Sequence, residues 1–188
     1  MELSLEEKYL RIKDSIKDVK SKNPIEIAKS IMHLDFINIH GPEHHFLDGA
    51  AFMTALRNAR LDFDYDKSIN ILAERTYKMP GAMCGYWGIC GSVASIGAVF
   101  AIIDETGPLS NDEHYKEHME FTSSIIKRMS EIGGPRCCKR NALLSIIAGT
   151  KYAKEHYKVE LELDENVKCE FSSWNKQCIG NRCPFSSH

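Results

Sequence analysis

Two adjacent cysteines, Cys137 and Cys138, stand in the stretch "GGPRCCKR" at residues 133–140. Pro135 is typical of the first position of a helix, which would place both thiols in the first helical turn. The partial positive charge of a helix N-terminus, together with the nearby cations of Arg136, Lys139 and Arg140, favours the thiolate form that binds metals and attacks electrophiles. Because successive helical residues point about 100° apart, one thiol can face a shared site while the other faces elsewhere.

Three further cysteines near the C-terminus have the spacing C-x8-C-x4-C, and Pro184 follows the last of them. Three thiolate ligands on one metal would organise this loop-like segment, because metal binding then supplies folding free energy. A cysteine followed by proline also ends several iron–sulfur ligand runs. Free or incidentally paired thiols are the alternative. The predicted metal ligands are Cys138, Cys169, Cys178 and Cys183, with Cys137 as the alternative to Cys138.

A separate pair of cysteines, Cys84 and Cys90, lies in "CGYWGICG". Cys84 follows Pro80 and Gly81 at the predicted start of a buried helix, where a thiol is activated, so it is the candidate nucleophile or redox thiol. Cys90 lies in an apolar stretch and is predicted to pack in the core. The glycines of this stretch predict either close helix packing or a ligand that approaches the backbone.

The stretch "HGPEHH" at residues 40–45 predicts another helix start, one that carries several polar side chains. Free N–H groups and positive potential at such an end suit an anionic ligand, and they also favour neutral imidazoles that can act as bases. The alternative is a solvated corner in which Glu43 complements the helix dipole. His44 or His45 is the candidate general base. The pocket for a small anion is predicted to be lined by His40, Glu43, His44, Cys84 and Arg136. The residues predicted to bind a cofactor are His40, Glu43, Arg136 and Cys137.

Helical periodicity extends over nearly the whole chain up to Tyr157. The apolar stretch 84–104 predicts a buried central helix, and residues 159–163 predict a short strand or an extended segment. The predicted fold class is therefore all-α, a single-domain helical bundle of about seven helices with an irregular cysteine-bearing C-terminal tail. Within one domain spanning 1–188, the predicted parts are an extra N-terminal helix at 1–22, a helical core at 23–157 and a cysteine-rich tail at 158–188.

Composition narrows the classes of function. The formal net charge of −2 gives no basic surface for nucleic acid, and no apolar run approaches the roughly 18 residues of a membrane span. The charged N-terminal stretch lacks a signal-peptide core, so the expected location is cytoplasmic. Seven cysteines, an odd number, in a reducing cytosol argue against a disulfide framework. Metal ligation, redox or nucleophilic chemistry, and inert burial are the remaining explanations.

Taken in order, the motifs "HGPEHH", "CGYWGICG", "GGPRCCKR" and C-x8-C-x4-CPF resemble an uncharacterised family of cysteine-rich domains in anaerobic bacteria and methanogenic archaea. The resemblance runs from about residue 38 to residue 185, and the extra N-terminal helix, which would serve packing or association, departs from it. It implies no particular reaction. Related domains can be joined to radical-SAM or methyltransferase modules, which implies iron–sulfur chemistry and a redox, radical-SAM or methyltransferase partner.

Three functions are therefore expected to compete. The first is a thiolate-ligated metal protein of anaerobic metabolism, with an iron–sulfur cluster as cofactor and a neighbouring pocket for a small anionic substrate. The second is a zinc-stapled structural or adaptor domain without catalysis, because four thiolates also suit zinc. The third is a metal-free thiol redox protein, in which distant cysteines rather than the adjacent pair form reversible disulfides.

Overall fold

Capping side chains begin several of the helices where the sequence predicts them. In the computed structural model, which describes residues 3–187, Asn23 accepts hydrogen bonds from the N–H groups of Ile25 and Glu26, and Asp64 accepts one from that of Lys67. The described residues form eight α-helices, two short 3-10 turns and no strand, so the prediction of an all-α fold is confirmed. The helices are α1 (Leu5–Ile16), α2 (Pro24–Met32), α3 (Glu43–Asn58), α4 (Tyr65–Tyr77), α5 (Met83–Tyr86), α6 (Gly91–Ile103), α7 (Glu113–Ile132) and α8 (Cys138–His156), and the 3-10 turns are Ser172–Trp174 and Gly180–Arg182.

Helix α3 lies at the centre of the bundle and is buried on every side over most of its length. It packs so closely against α6 that the N–H of Gly49 donates to the Ser95 hydroxyl at 3.0 Å. Gly149 of α8 also lies close to α6, because a Cβ at Gly149 would lie 2.9 Å from Cγ2 of Ile96. Small residues at these crossings let α3, α6 and α8 converge, and the N-terminal ends of all three line one cavity.

The prediction of one buried helix over residues 84–104 is wrong for the first part of that stretch. The chain forms only the short helix α5 there, and α6 begins after a break. Gly88 within the break has a left-handed backbone, with φ of 70°, a conformation that glycine adopts without steric cost. Tyr86 and Trp87 are 79% and 60% exposed. The stretch before α6 is therefore an exposed loop, although its apolar residues predicted burial.

The C-terminal tail is held partly by apolar burial, which the sequence analysis did not predict. Val167, Phe171 and Phe185 are buried members of the core. The N–H of Cys169 donates to the carbonyl of Phe185 at 2.8 Å, which joins the two ends of the tail. Within the described chain, residues 159–163 form no strand, so the first of the two predicted alternatives is wrong.

Asp104 ends α6 and connects it to α7 and to the end of α8. Its carboxylate accepts hydrogen bonds from Nε2 of His118 at 2.9 Å and from the hydroxyl of Tyr157 at 2.6 Å. Burial alone would raise the pKa of Asp104, but these two hydrogen bonds outweigh burial and lower the pKa. The charged carboxylate therefore stabilises the folded chain.

Replacing Asp104 with asparagine should lower the free energy of unfolding by about 1 to 3 kcal/mol at pH 7, because two hydrogen bonds lose their charged acceptor. Since the folded pKa lies below the unfolded value of about 4, this stabilisation is present above the unfolded pKa and is lost as the pH falls through the folded pKa. Urea unfolding at pH 7 and pH 3 should show the difference between wild type and Asp104→Asn narrowing at the lower pH. An equal difference at both pH values would contradict the role of the charge.

Candidate functional site

The tail and the start of α8 enclose a small cavity, the tail cavity, whose wall contains four cysteines. Its free volume is about 20 Å³, which leaves room for roughly one water-sized species. Within residues 3–187, no three histidine, cysteine or acidic side chains are placed to hold a metal ion as they stand. The four thiols therefore share a cavity wall without a finished coordination geometry. They belong to Cys137, Cys169, Cys178 and Cys183.

Backbone N–H groups are directed at three of these four sulfur atoms. Gly180 adopts a left-handed backbone with φ of 57°, in the turn that aims its N–H at Cys178. Donors of this kind stabilise the negative charge of a thiolate, and hydrogen bonds to sulfur are a regular feature of thiolate–metal centres. The contacts run from Arg140 N to Cys137 Sγ at 3.4 Å, from Phe171 N to Cys169 Sγ at 3.4 Å and from Gly180 N to Cys178 Sγ at 3.5 Å.

Arg140 is a buried cation without an acidic partner, and it also lines the tail cavity. The side chain is only 4% exposed, and it donates to the uncharged oxygens of Gly133, Pro135 and Asn141. No hydrogen bond reaches its Nη1, and none of the ion pairs among the described residues includes it. A buried charge is costly unless an opposite charge balances it.

The Cys137 thiol responds to this charge. Burial raises the pKa of Cys137, whereas the N–H and the guanidinium of Arg140 oppose that shift. Burial likewise raises the pKa of Cys169. Without a ligand these thiols are therefore protonated, and binding of a metal would release their protons. A set of thiolates would supply the negative charge that Arg140 lacks.

The two adjacent cysteines at the start of α8 differ in the cavities that they line. The helix begins at Cys138 rather than near Arg136, so Cys137 is the N-cap residue and Cys138 is the first helical residue. Cys137 lines the tail cavity with the three tail cysteines and also borders a second cavity, whereas Cys138 lines the second cavity and not the tail cavity. Burial raises the pKa of Cys138 to about 12. The structure thus brings the alternative residue Cys137, and not Cys138, together with the tail thiols.

The second cavity, named here the histidine cavity, has a free volume of about 280 Å³. Cys90, predicted to pack in the core, is partly buried at the N-cap of α6, and its Sγ accepts a hydrogen bond from Nδ2 of Asn141 at 3.2 Å. It lines this cavity as well. The predicted functional residues that the structure brings together on the wall are His40, His44, His45, Cys84, Arg136 and Cys137.

Glu43, a predicted anion-binding residue, does not line the histidine cavity. Its carboxylate lies beneath the start of α3, where it is 3.2 Å from Nζ of Lys8 and accepts from the N–H of Asn38 at 2.9 Å. Burial alone would raise the pKa of Glu43, but the backbone donors and then the neighbouring cations outweigh it and lower the pKa. Glu43 is therefore a buried anion that fixes the helix start rather than a residue in contact with a bound anion.

The two candidate bases differ in how far their imidazoles are already engaged. His44 has its Nε2 at 3.1 Å from the carbonyl of Asn38 and at 3.2 Å from Nζ of Lys139, and its Nδ1 lies 3.6 Å from the carboxylate of Asp48. Neither imidazole has a hydrogen bond of normal geometry at Nδ1, although the ring of His45 interacts with the backbone of Met79. Burial lowers the pKa of His45, so its imidazole is neutral, as the sequence predicted, but through burial.

Sequence reasoning missed Asn141 and Asn175 as residues that shape the two cavities, and it treated Arg140 only as one of the cations beside the adjacent thiols. Asn175 of the tail accepts from Nε2 of His40 at 3.1 Å and directs its Nδ2 at Cys137 Sγ at 3.6 Å, so it joins the histidine stretch to the tail thiols. No local pattern marks an asparagine in a loop-like tail. The signal for Arg140 was its position three residues after Cys137, on the same side of the helix.

None of the helices in residues 3–187 combines the length and the apolar character that crossing a membrane requires. No curated protein and no solved structure matches the chain. A family model described as a family of unknown function, DUF5714, matches residues 12–186 and thus covers both cavities and all seven cysteines. The predicted membership of an uncharacterised family is confirmed: the chain belongs to DUF5714, a family of unknown function.

Proposed function

We propose that this protein is a thiolate-ligated metal protein of anaerobic metabolism, with an iron–sulfur cluster as its metal centre. The proposed ligands combine the N-cap of α8 with the tail. When bound through all four cysteines, a cluster would supply electron transfer. A redox protein, or a radical-SAM or methyltransferase module, is the proposed partner, and a small anion beside the centre is the proposed substrate. The ligands are Cys137, Cys169, Cys178 and Cys183.

The buried guanidinium of Arg140 is the observation that carries this proposal. It borders the tail cavity without a carboxylate partner, although burying an unbalanced charge is unfavourable. Four thiolates around a divalent ion, or around a cluster core of the same charge, leave a net negative charge on the centre. Such a centre would balance Arg140, and the N–H groups that already point at the sulfurs would stabilise it further.

The donor set fits a metal, but the present spacing of the sulfurs must change to bind one. Cys178 lies at the exposed edge of the tail, in the turn that includes Gly180. Movement of that turn widens or narrows the cavity without disturbing α8. A cluster requires the cavity to widen, because its free volume is now about 20 Å³.

A zinc-stapled structural or adaptor domain is the second candidate function. The small volume of the tail cavity favours it, since a single tetrahedral ion needs less room than a cluster and suits four thiolates equally well. In that case the metal would fasten the tail to α8, and chemistry elsewhere would not depend on it.

Protein purified without oxygen should contain iron and inorganic sulfide in equal amounts. The metal content of Cys178→Ser should be at least about tenfold lower than that of wild type, because one thiolate ligand is lost. Cys90→Ser is the matched control: it removes a cysteine from the wall of the histidine cavity, where serine also caps a helix well. It should keep the metal.

Colourless protein with one zinc per chain would contradict the iron–sulfur cluster and support the second candidate function, the zinc-stapled domain. Full metal content in Cys178→Ser would show that the ligand set is wrong. Protein with neither metal, but with thiols that pair reversibly when reductant is removed, would overturn the proposal in favour of metal-free thiol redox chemistry.

A further inference from the structure

The histidine cavity is bordered by hydrogen-bond donors and a cation but by no carboxylate. None of the residues that line it is aspartate or glutamate, and the exposed Arg136 stands at its edge. The acidic residues of the adjoining helix α3, Glu43 and Asp48, are buried and lie outside the wall. A concave surface with this composition has a positive potential, which attracts anions.

Three long helices begin at this cavity. Their N-cap residues, Pro42, Cys90 and Cys137, all belong to its wall. At the start of α6 no side chain accepts a capping hydrogen bond, whereas the carboxylate of Glu43 already lies at the start of α3. The positive ends of the α6 and α8 dipoles therefore add at one place, and a bound anion would be stabilised by both of them.

One ring nitrogen of a buried histidine on the same wall lacks a close hydrogen bond, an observation independent of the helix ends. His45 is 7% exposed, and no hydrogen bond of normal geometry reaches its buried Nδ1. The ring packs directly on the start of α6, where Nε2 lies next to Gly91. Because no strong acceptor fixes the proton at Nδ1, the proton of the neutral imidazole can lie on Nε2, from which it can be donated to an anion.

We infer that the histidine cavity binds a small metabolite that carries an oxyanion, either a carboxylate or a phosphate. The charged group lies where α6 and α8 begin, next to Arg136, and the rest of the molecule lies against the thiols of Cys84 and Cys138. The volume of about 280 Å³ suits a small metabolite. An adjoining cavity of about 570 Å³, whose wall also includes Arg136 and contains no carboxylate, can take a longer one.

This inference rests on the proposed function for its setting. Cys137 lines both the tail cavity and the histidine cavity, so the anion would lie directly beside the metal centre. The adjacent cysteines of α8 then have separate roles, Cys137 towards the metal and Cys138 towards the small molecule. The anion site itself is built from residues that do not bind the metal, so its test does not depend on which metal is present.

The test compares two alkylating reagents of similar size, the anionic iodoacetate and the neutral iodoacetamide, on protein purified without oxygen. Each reagent forms a thioether with a cysteine thiolate and releases iodide. Mass spectrometry measures the labelling rates at Cys84 and at Cys138. For each cysteine, the rate with iodoacetate divided by the rate with iodoacetamide is independent of the intrinsic reactivity of the thiol. Arg136→Ala should lower this ratio about fivefold. Arg128→Ala removes the same charge from an exposed position on α7 and should leave the ratio unchanged.

Inorganic phosphate and acetate, added separately, should slow labelling of both cysteines, and the stronger protector identifies phosphate or carboxylate as the preferred group. An unchanged ratio in Arg136→Ala, or the absence of protection by either anion, would overturn the inference. Metal content is measured in the same samples. Protein that contains its full metal content but reacts with both reagents irrespective of Arg136 would refute the anion site alone. Protein that contains no metal but whose preference for iodoacetate depends on Arg136 would refute the proposed function alone.

Discussion

Replacing Lys8 with methionine should lower the free energy of unfolding by about 3 to 5 kcal/mol. Lys8 is buried on α1, and its Nζ lies 3.2 Å from the carboxylate of Glu43 at the start of α3. The substitution leaves that carboxylate charged and buried, with the N–H of Asn38 as its remaining strong donor. The predicted extra N-terminal helix thus supplies the counter-charge for the helix start that borders the histidine cavity.

Urea unfolding of four proteins would check this expectation. Lys151→Met removes an exposed lysine from the middle of α8 and should change the free energy of unfolding by less than about 0.5 kcal/mol. The double variant Lys8→Met/Glu43→Gln should regain much of the lost stability, because glutamine still accepts from Asn38 and no unbalanced charge remains. A cost for Lys8→Met no larger than that for Lys151→Met would mean that water reaches Glu43.

The all-α fold and most helix starts could be predicted because their causes are local. Asn23 followed by Pro24 places a capping side chain and a fixed φ angle within two residues, and the chain starts α2 there regardless of tertiary contacts. The break before α6 has no such local cause. Residues 84–104 are mostly apolar, so periodicity could not locate the turn at Gly88 or predict that Trp87 is exposed.

The candidate site could be predicted in its residue types but not in its division into two cavities. Helical geometry predicts that the side chains of Cys137 and Cys138 diverge, although in the structure Cys137 is the extended N-cap residue and only Cys138 is helical. Which of them meets the tail depends on where α8 begins and on how the tail returns, with Asn175 directed at Cys137. The return is set by burial of Phe171 and Phe185, aromatic residues whose partners are distant in the sequence. Long-range packing of this kind leaves no signal in spacing alone.

Substituting the two adjacent cysteines separately should give opposite results for metal content. Cys137→Ser should retain at least about tenfold less metal than wild type, because it removes the one proposed ligand that the helical body contributes. Cys138→Ser should keep the metal and lose only the labelling of Cys138 in the histidine cavity. The pair is well matched, since both variants make the same chemical change one position apart and serine at the N-cap preserves the start of α8.

The same comparison shows whether the metal centre supplies the negative charge that balances the buried guanidinium of Arg140. With Cys137 replaced and the metal lost, Arg140 would remain buried without a negatively charged centre beside it, so Cys137→Ser should also unfold at lower urea concentration than Cys138→Ser. Replacing Arg140 by glutamine in the Cys137→Ser background should recover part of that loss, because the unbalanced charge is gone. Loss of metal from Cys138→Ser with full retention in Cys137→Ser would reverse the assignment of the two thiols. Equal stability of the two cysteine variants would instead mean that the guanidinium needs no anion from the thiols.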